Sequence, residues 1–168
     1  MPSRLLEALA DRVLFYDGAM GTQLQARELT AEDFGGRRYE GCNDVLSLTR
    51  PDVVEAVHTA YFEAGADAVE TNSFQASRLR LEEWGLADRT LEMNRAAAAI
   101  ARRVADGFET KDRRPRFVAG SMGPSGMLPS SEDPDLGRKS LDDLRVVFAE
   151  QAQGLIEGGA DVVILETC

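Results

Sequence analysis

The sequence predicts an α/β fold built on a parallel β-sheet, because short apolar segments alternate along the chain with longer segments of helical periodicity. Four of the short segments are nearly continuous in apolar residues, which is typical of strands covered on both faces. Each of them leads into small or polar residues at its carboxyl end. Alternation of this kind is found in right-handed βαβ units.

The first predicted strand spans residues 13–17 and is separated from the first long helix by an irregular segment. The helix is predicted over residues 51–64, where apolar residues fall on one face. Thr49 and Asp52 have the spacing of a capping box, and Gly65 is placed to end the helix.

The remaining elements continue the same alternation. Strands are predicted at residues 66–71, 117–121 and 162–167. Helices are predicted at residues 91–105 and 141–157, each with an apolar stripe and charged residues on the other face. The order is therefore strand, helix, strand, helix, strand, helix, strand.

A short internal repeat distinguishes between two parallel architectures. Residues 63–67 (EAGAD) and 157–161 (EGGAD) both join the end of a helix to a strand that ends in Glu-Thr. Repeated joints favour a TIM (β/α)₈ barrel, although a doubly wound sheet shares the alternation. We expect residues 1–168 to form the amino-terminal portion of such a barrel, a half-barrel fragment with about the first four β-strands.

Composition excludes several classes of function. The 168 residues include 43% hydrophobic and 29% charged residues, which suits one globular domain. A formal charge of -10 disfavours binding to nucleic acid, and no apolar run approaches the length of a membrane-spanning helix. With only two cysteines, far apart, and no signal-like start, we expect a cytoplasmic protein.

Polar residues at the predicted strand ends indicate a binding mouth. Asp17, Asn72, Ser121 and Glu166 lie at or just after the ends of four successive strands, which share one edge of a parallel sheet. Carboxylates suit an ammonium group, and backbone N–H groups of the glycine-containing turn 17–21 suit a carboxylate, which together describe an α-amino acid. The alternative is that the two acids cap helices or pair with arginines.

Several motifs resemble the homocysteine S-methyltransferase family over nearly the whole chain. They are residues 17–22 (DGAMGT), 49–54 (TRPDVV), 64–74 (AGADAVETNSF), 120–124 (GSMGP), 158–161 (GGAD) and 165–167 (LET). Residues 40–44 (EGCND) and 61–65 (YFEAG) are most similar to the cobalamin-dependent methionine synthase branch of this family.

The resemblance implies a barrel that binds homocysteine, holds its thiolate on zinc and transfers a methyl group to it. In that branch the methyl group arrives on cobalamin and originates from methyltetrahydrofolate, so the resemblance implies cobalamin and folate modules as partners. Other branches take the methyl group from S-methylmethionine or betaine, or are fused to a folate reductase, and these remain alternatives.

The resemblance also implies roles for six residues. Asp17 and Glu166 would bind the substrate ammonium, while Gly18 and Ala19 would offer backbone donors to its carboxylate. Asn72 and Ser121 would complete the rim.

The family's zinc ligands are three cysteines that follow later barrel strands, and none of them maps to this sequence. Cys42 and Cys168 are expected to be structural or incidental, since two distant thiols and a single histidine do not supply three or four ligands. His58 is expected to lie on the face of a helix or to be partly buried there. We therefore expect the fragment alone to be inactive, and the nonenzymatic alternative is a half-barrel that binds an amino acid weakly.

Overall fold

A computed structural model of the chain describes residues 3–128, 132, 134–135 and 137–167. Short 3-10 helices occur at Arg37–Tyr39, Asn43–Val45 and Ala87–Arg89. The α-helices and β-strands follow in this order: α1 Arg4–Asp11, α2 Met20–Gln25, α3 Leu46–Thr49, α4 Pro51–Glu63, β1 Ala68–Glu70, α5 Arg78–Glu82, α6 Thr90–Asp112, β2 Phe117–Met122, α7 Leu141–Glu157 and β3 Val162–Leu165.

The three strands form a parallel sheet in the order β1-β2-β3. Val69 pairs with Val118, and Gly120 pairs with Val163. Helix α6 connects β1 to β2 and helix α7 connects β2 to β3, so the crossovers are the predicted βαβ units. The prediction of an α/β protein with a parallel sheet is confirmed.

The prediction of four regular strands is wrong for the first of them. Residues 13–17 are reduced to one parallel bridge, between Tyr16 and Ala68, with a hydrogen bond of 3.1 Å from the Asp17 N–H to the Ala68 carbonyl. The segment lies beside β1 in the position of a fourth strand. Among the described residues, no strand pairs with its other side, and Val13 is 77% exposed. A segment that pairs on one side only makes half of the backbone hydrogen bonds that keep a central strand in regular β-conformation.

A buried ionic contact holds this segment to β1. Asp67 is fully buried and accepts hydrogen bonds from the Phe15 N–H (2.9 Å) and from both terminal nitrogens of Arg12 (2.9 and 2.8 Å). Arg114 adds a contact of 3.2 Å. The guanidinium of Arg12 lowers the pKa of Asp67 to about 2, against the opposing effect of burial. The carboxylate therefore stays charged and fixes the chain just before the predicted site.

Helix α4 begins and ends where the sequence predicted, but its amino-terminal cap differs. Arg50 is the N-cap residue without a side-chain cap, because the Thr49 hydroxyl instead donates to the Val45 carbonyl at 3.2 Å. Pro51 occupies the first turn, where its missing N–H costs nothing. Gly65 follows the helix with φ at +105°, as a helix-terminating glycine does.

The capping box of this fold lies at helix α7. The Ser140 hydroxyl accepts from the Asp143 N–H at 3.1 Å, and the Asp143 carboxylate accepts from the Ser140 N–H at 3.0 Å. Helix α7 then packs closely on α6, since glycines at Gly154 and Gly158 bring it against the α6 backbone. This contact orients β3, which follows α7 directly.

The apolar core has one cluster among helices α2 to α6 and a second between the sheet and helices α4 and α6. Val57, Leu81 and Met93 are fully buried in one cluster, and Val69 and Val118 in a second cluster against the sheet. Among the described residues, no helix is long and apolar enough to cross a membrane.

Candidate functional site

A cavity of about 450 Å³ opens at the carboxyl ends of the strands. The six residues singled out from the sequence all line it. Its lining is Asp17, Gly18, Ala19, Met20, Gly21, Gly41, Asn43, Asp44, Glu70, Thr71, Asn72, Ser73, Phe74, Gln75, Ser121 and Glu166. Four acids that are far apart in sequence therefore meet in one cavity: Asp17, Asp44, Glu70 and Glu166.

Asp17 is held by the backbone of β1 and carries an oxygen without a partner. Its Oδ2 atom accepts from the Glu70 N–H at 3.0 Å, while Oδ1 is buried and, among the described residues, has no hydrogen-bond partner. Burial raises the pKa of Asp17 to about 7, and the charges of Glu70 and Glu166 act in the same direction. A buried acceptor that lacks a donor is unfavourable, so this carboxyl is suited to bind a cation.

Glu166 is oriented by Ser121 at the end of the neighbouring strand. The Ser121 hydroxyl donates to Glu166 Oε1. Ser121 is itself fixed, because its N–H donates to the Thr71 hydroxyl at 3.0 Å and its carbonyl accepts from the Ser73 hydroxyl at 2.7 Å. Ser121 thus acts on the site through Glu166, and the Thr71–Ser73 turn keeps Ser121 in place.

Glu70 is a cavity residue that the sequence reasoning did not select for the site. It is the last residue of β1, and it lines the same cavity as Asp17 and Glu166. Burial raises the pKa of Glu70, and the negative charge of Glu166 raises it further. Its place at a strand end was the available signal, the same one that identified Asp17 and Glu166.

The turn at Gly18 and Ala19 lines the cavity. Ala19 is the N-cap of α2 without a side-chain cap, and in the described residues neither of their two backbone N–H groups donates to a backbone carbonyl. Tyr61 holds the turn from helix α4, because its hydroxyl donates to the Ala19 carbonyl at 3.2 Å. A Cβ on Gly18 would lie 3.1 Å from that hydroxyl oxygen, so a larger residue there would displace the Tyr61 side chain by a few tenths of an ångström.

Asn72 connects the rim to the 3-10 helix Asn43–Val45, which directly precedes α3. Its Nδ2 donates to the Asn43 carbonyl at 2.7 Å, and the side chain is buried. The neighbouring Asp44 accepts from the Gln75 N–H at 3.1 Å. Burial raises the pKa of Asp44 to about 6. These contacts make Asn72 a residue that shapes the cavity wall.

Among the described residues, the cysteine and histidine side chains do not form a metal site. Cys42 is buried in the apolar core, and burial raises the pKa of its thiol to about 11. His58 is fully buried in α4, deeper than the helix-face position expected from the sequence. Cys168 lies outside the described residues. Within the ranges that the structure describes, no three of the potential metal ligands His, Cys, Asp and Glu are grouped to hold an ion, so the present residues do not fit zinc.

A parallel α/β sheet with a cavity at the carboxyl ends of its strands is an architecture in which small molecules bind at that edge. Residues 14–168 match the family model described as homocysteine S-methyltransferase. The chain belongs to the homocysteine S-methyltransferase family.

Comparison with individual proteins agrees with this family. The chain is 49% identical over 164 residues to methionine synthase from Mycobacterium tuberculosis (strain ATCC 25618 / H37Rv), and equally to that from Mycobacterium leprae (strain TN). The alignments cover 98% of this chain and 13% of each relative, so the chain spans about an eighth of their length.

Solved structures of a homocysteine methyltransferase share the fold. The metallated form of MmuM from Escherichia coli superposes with a TM-score of 0.76 at 24% identity, covering 96% of this chain and 57% of that one. The oxidized form gives a TM-score of 0.74 at 24% identity and covers 94% and 55%.

Proposed function

We propose that the cavity binds the amino-acid end of L-homocysteine, and that residues 1–168 form the amino-terminal portion of the homocysteine-binding (β/α)₈ barrel of a cobalamin-dependent methionine synthase. The observation that carries this proposal is the convergence of Asp17 and Glu166 on one cavity beside the Gly18–Ala19 turn. Acids on one side and backbone N–H groups on the other complement a zwitterion.

The two acids would bind the substrate ammonium. Asp17 Oδ1 is buried without a donor, and Glu166 is oriented by the Ser121 hydroxyl. An ammonium between them would supply the missing donor to Asp17 and lower its pKa by attraction. The substrate carboxylate would accept from the N–H groups of Gly18 and Ala19, which leaves the sulfur-bearing side chain directed away from the acids.

The methyl-transfer step would depend on groups that this chain does not hold. A zinc-bound thiol is deprotonated at neutral pH and becomes a strong nucleophile, which is the chemistry that the family implies. Because the described residues do not fit zinc, we assign the metal ligands to other parts of the parent protein, together with the cobalamin and folate modules. A cytoplasmic location belongs to the same proposal.

The degree of similarity supports cobalamin as the methyl donor in this proposal. Identity to the two methionine synthases is 49%, against 24% to the Escherichia coli homocysteine methyltransferase. This difference favours the methionine synthase branch, and therefore cobalamin as the donor, over branches that use S-methylmethionine or betaine.

Calorimetric titration of the chain with L-homocysteine under reducing conditions tests the proposed site. We expect Asp17→Asn and Glu166→Gln each to weaken binding by about tenfold or more, since each removes a charge-assisted hydrogen bond. Glu82→Gln and Asp142→Asn are matched controls, because both acids are exposed and lie away from the cavity.

A ligand without the amino group provides a second control. 4-Mercaptobutyrate retains the carboxylate and the thiol, and we expect it to bind at least as weakly as homocysteine binds to the Asp17→Asn variant. Equal affinity for the two ligands, or unchanged binding after both acid substitutions, would show that the cavity does not recognise an ammonium group.

A further inference from the structure

A glutamine is buried in the apolar face of helix α7. Gln151 is fully buried, and Val147 and Leu155, one turn before and after it, are buried apolar residues of the same face. Its Nε2 donates to the Ser73 carbonyl at 2.8 Å, while its Oε1, among the described residues, has no hydrogen-bond partner. The one hydrogen bond found for this amide in the described chain therefore joins α7 to the segment after β1.

The Ser73 carbonyl has a second donor besides Gln151. It accepts from the Ala76 N–H at 3.0 Å, which closes a turn over residues 73–76. Asn94 holds the other end of this turn, since its Nδ2 donates to the Ala76 carbonyl at 2.8 Å. Gln151 thus adds a bond to a carbonyl that is already satisfied and buries its own oxygen without a donor in the described chain, which is unfavourable for folding. A role in stability alone does not account for it.

Ser73 connects the 73–76 turn to the end of β2. Its hydroxyl donates to the Ser121 carbonyl at 2.7 Å, which uses its only proton. The Thr71 hydroxyl, 2.6 Å from Ser73 Oγ, must then donate to Ser73, and it accepts from the Ser121 N–H at 3.0 Å. These three bonds form a hydroxyl ring of Thr71, Ser73 and Ser121, each at most 2% exposed. A displacement of Ser73 would therefore displace Ser121.

The hydroxyl ring orients an acid of the cavity, because the Ser121 hydroxyl donates to Glu166. We propose that Gln151 is a positioning residue: it fixes Ser73 from α7, and the hydroxyl ring thereby holds Glu166 in place for the ligand ammonium. Gln151 does not line the cavity itself. The inference rests on the proposed function for the identity of the ligand, but the connection from Gln151 to Glu166 does not depend on it.

Calorimetric titration with L-homocysteine compares a lost hydrogen bond with a lost apolar contact in the same helix. Gln151→Met keeps the length of the side chain and removes the donor. Because the Ser73 carbonyl still accepts from the Ala76 N–H, we expect the urea midpoint to stay close to the native value, while the affinity falls about fivefold. Val147→Ala is the matched control, buried in α7 and away from the cavity. It should lower the urea midpoint and leave the affinity within about twofold.

A double-mutant cycle tests whether Gln151 acts through Ser73. Ser73→Ala removes the hydroxyl that joins the turn to Ser121, so Gln151→Met should weaken binding little further in that background. In a native chain that binds L-homocysteine, additive losses or an unchanged affinity of Gln151→Met would overturn the proposal. A loss in Val147→Ala as large as that in Gln151→Met would also overturn it, because affinity would then follow the packing of α7 alone.

A ligand-free measurement distinguishes failure of this inference from failure of the proposed function. In a chain with labelled glutamate, the carboxyl carbon NMR signal of Glu166 is assigned by its absence in Glu166→Gln. We expect this signal to move in Ser121→Ala and in Gln151→Met, but not in Val147→Ala. If L-homocysteine does not bind but the signal moves in this pattern, the proposed function fails and the positioning role stands. If Gln151→Met leaves the signal unchanged, the positioning role is refuted whatever the binding result.

Discussion

Burial is the largest cause of the shifted pKa values of Asp17, Asp44 and His58. Asp17 and Glu166 could be found from the sequence because each ends a predicted strand, and parallel strands present their carboxyl ends at one edge. Glu70 also ends a predicted strand, but its place in the same cavity as Glu166 depends on how far apart the two strand ends lie in space. Tyr61 could not be found at all, since nothing local relates it to Ala19, 42 positions away.

His58 offers a prediction at this scale because it is the only histidine in the chain. It is fully buried, both ring nitrogens lack a hydrogen-bond partner among the described residues, and burial lowers its pKa to about 4. We expect its imidazole NMR signals to remain those of the neutral ring from pH 8 to pH 5. A titration midpoint near 6.5, the ordinary value, would contradict the buried placement.

The same residue contributes to acid sensitivity with a definite sign. Between pH 6.5 and about 4 the unfolded chain binds a proton at His58 that the folded chain does not, so the free energy of unfolding falls as pH falls through this window. The full effect is roughly 3 kcal/mol. Asp17 and Asp44, whose pKa values are raised, act in the opposite direction. We therefore expect the free energy of unfolding of the native chain minus that of His58→Leu, measured by urea denaturation, to fall as pH falls from 6.5 to about 4.

Whole elements were predictable where their apolar pattern was long. Helix α7 matches its predicted bounds. Helix α6 begins one residue before the predicted 91–105 and continues to Asp112, because Phe108 still packs against the core beyond the predicted apolar stripe. The predicted cap at Thr49 is wrong because a threonine hydroxyl can hydrogen-bond to backbone groups before or after it in the chain. Here it donates to the Val45 carbonyl, one turn earlier. Strand 13–17 failed because a strand depends on partners that its own sequence does not encode.

The contact between α6 and α7 supports a prediction about glycine. A Cβ on Gly154 would lie 2.9 Å from the Leu91 carbonyl oxygen, and one on Gly158 would lie 2.4 Å from the Arg95 carbonyl oxygen. Both are backbone atoms, so the helices would have to separate. We expect Gly154→Ala and Gly158→Ala each to lower the free energy of unfolding by about 1–3 kcal/mol, measured by urea denaturation.

Gly107 is the matched control within α6. A Cβ there meets nothing within 4 Å, and the position is helical, so Gly107→Ala should raise the free energy of unfolding by about 0.5–1 kcal/mol. Equal free energies of unfolding for Gly158→Ala and Gly107→Ala would contradict the close packing of α7 on α6 at Gly158.

At the scale of the whole molecule, the sheet has apolar residues exposed at both sides. Phe15, beside β1, is 68% exposed, and Leu165, in β3, is 64% exposed. Segment 13–17 has a backbone edge without a strand partner in the described residues. Exposed apolar side chains beside a free strand edge promote association between chains, while a net charge of -10 opposes it.

These opposing effects predict association that depends on salt. Added salt screens the repulsion between negatively charged chains and leaves apolar attraction intact, so we expect the weight-average mass from sedimentation equilibrium to rise with salt and with protein concentration. Phe15→Glu should shift the chain toward the monomer, because it places a charge at the strand edge. Leu128→Glu makes the same change in charge at an exposed leucine outside the sheet and should have a smaller effect. Equal effects of the two substitutions would assign the association to net charge alone, and a monomer at high salt would refute the role of the strand edge.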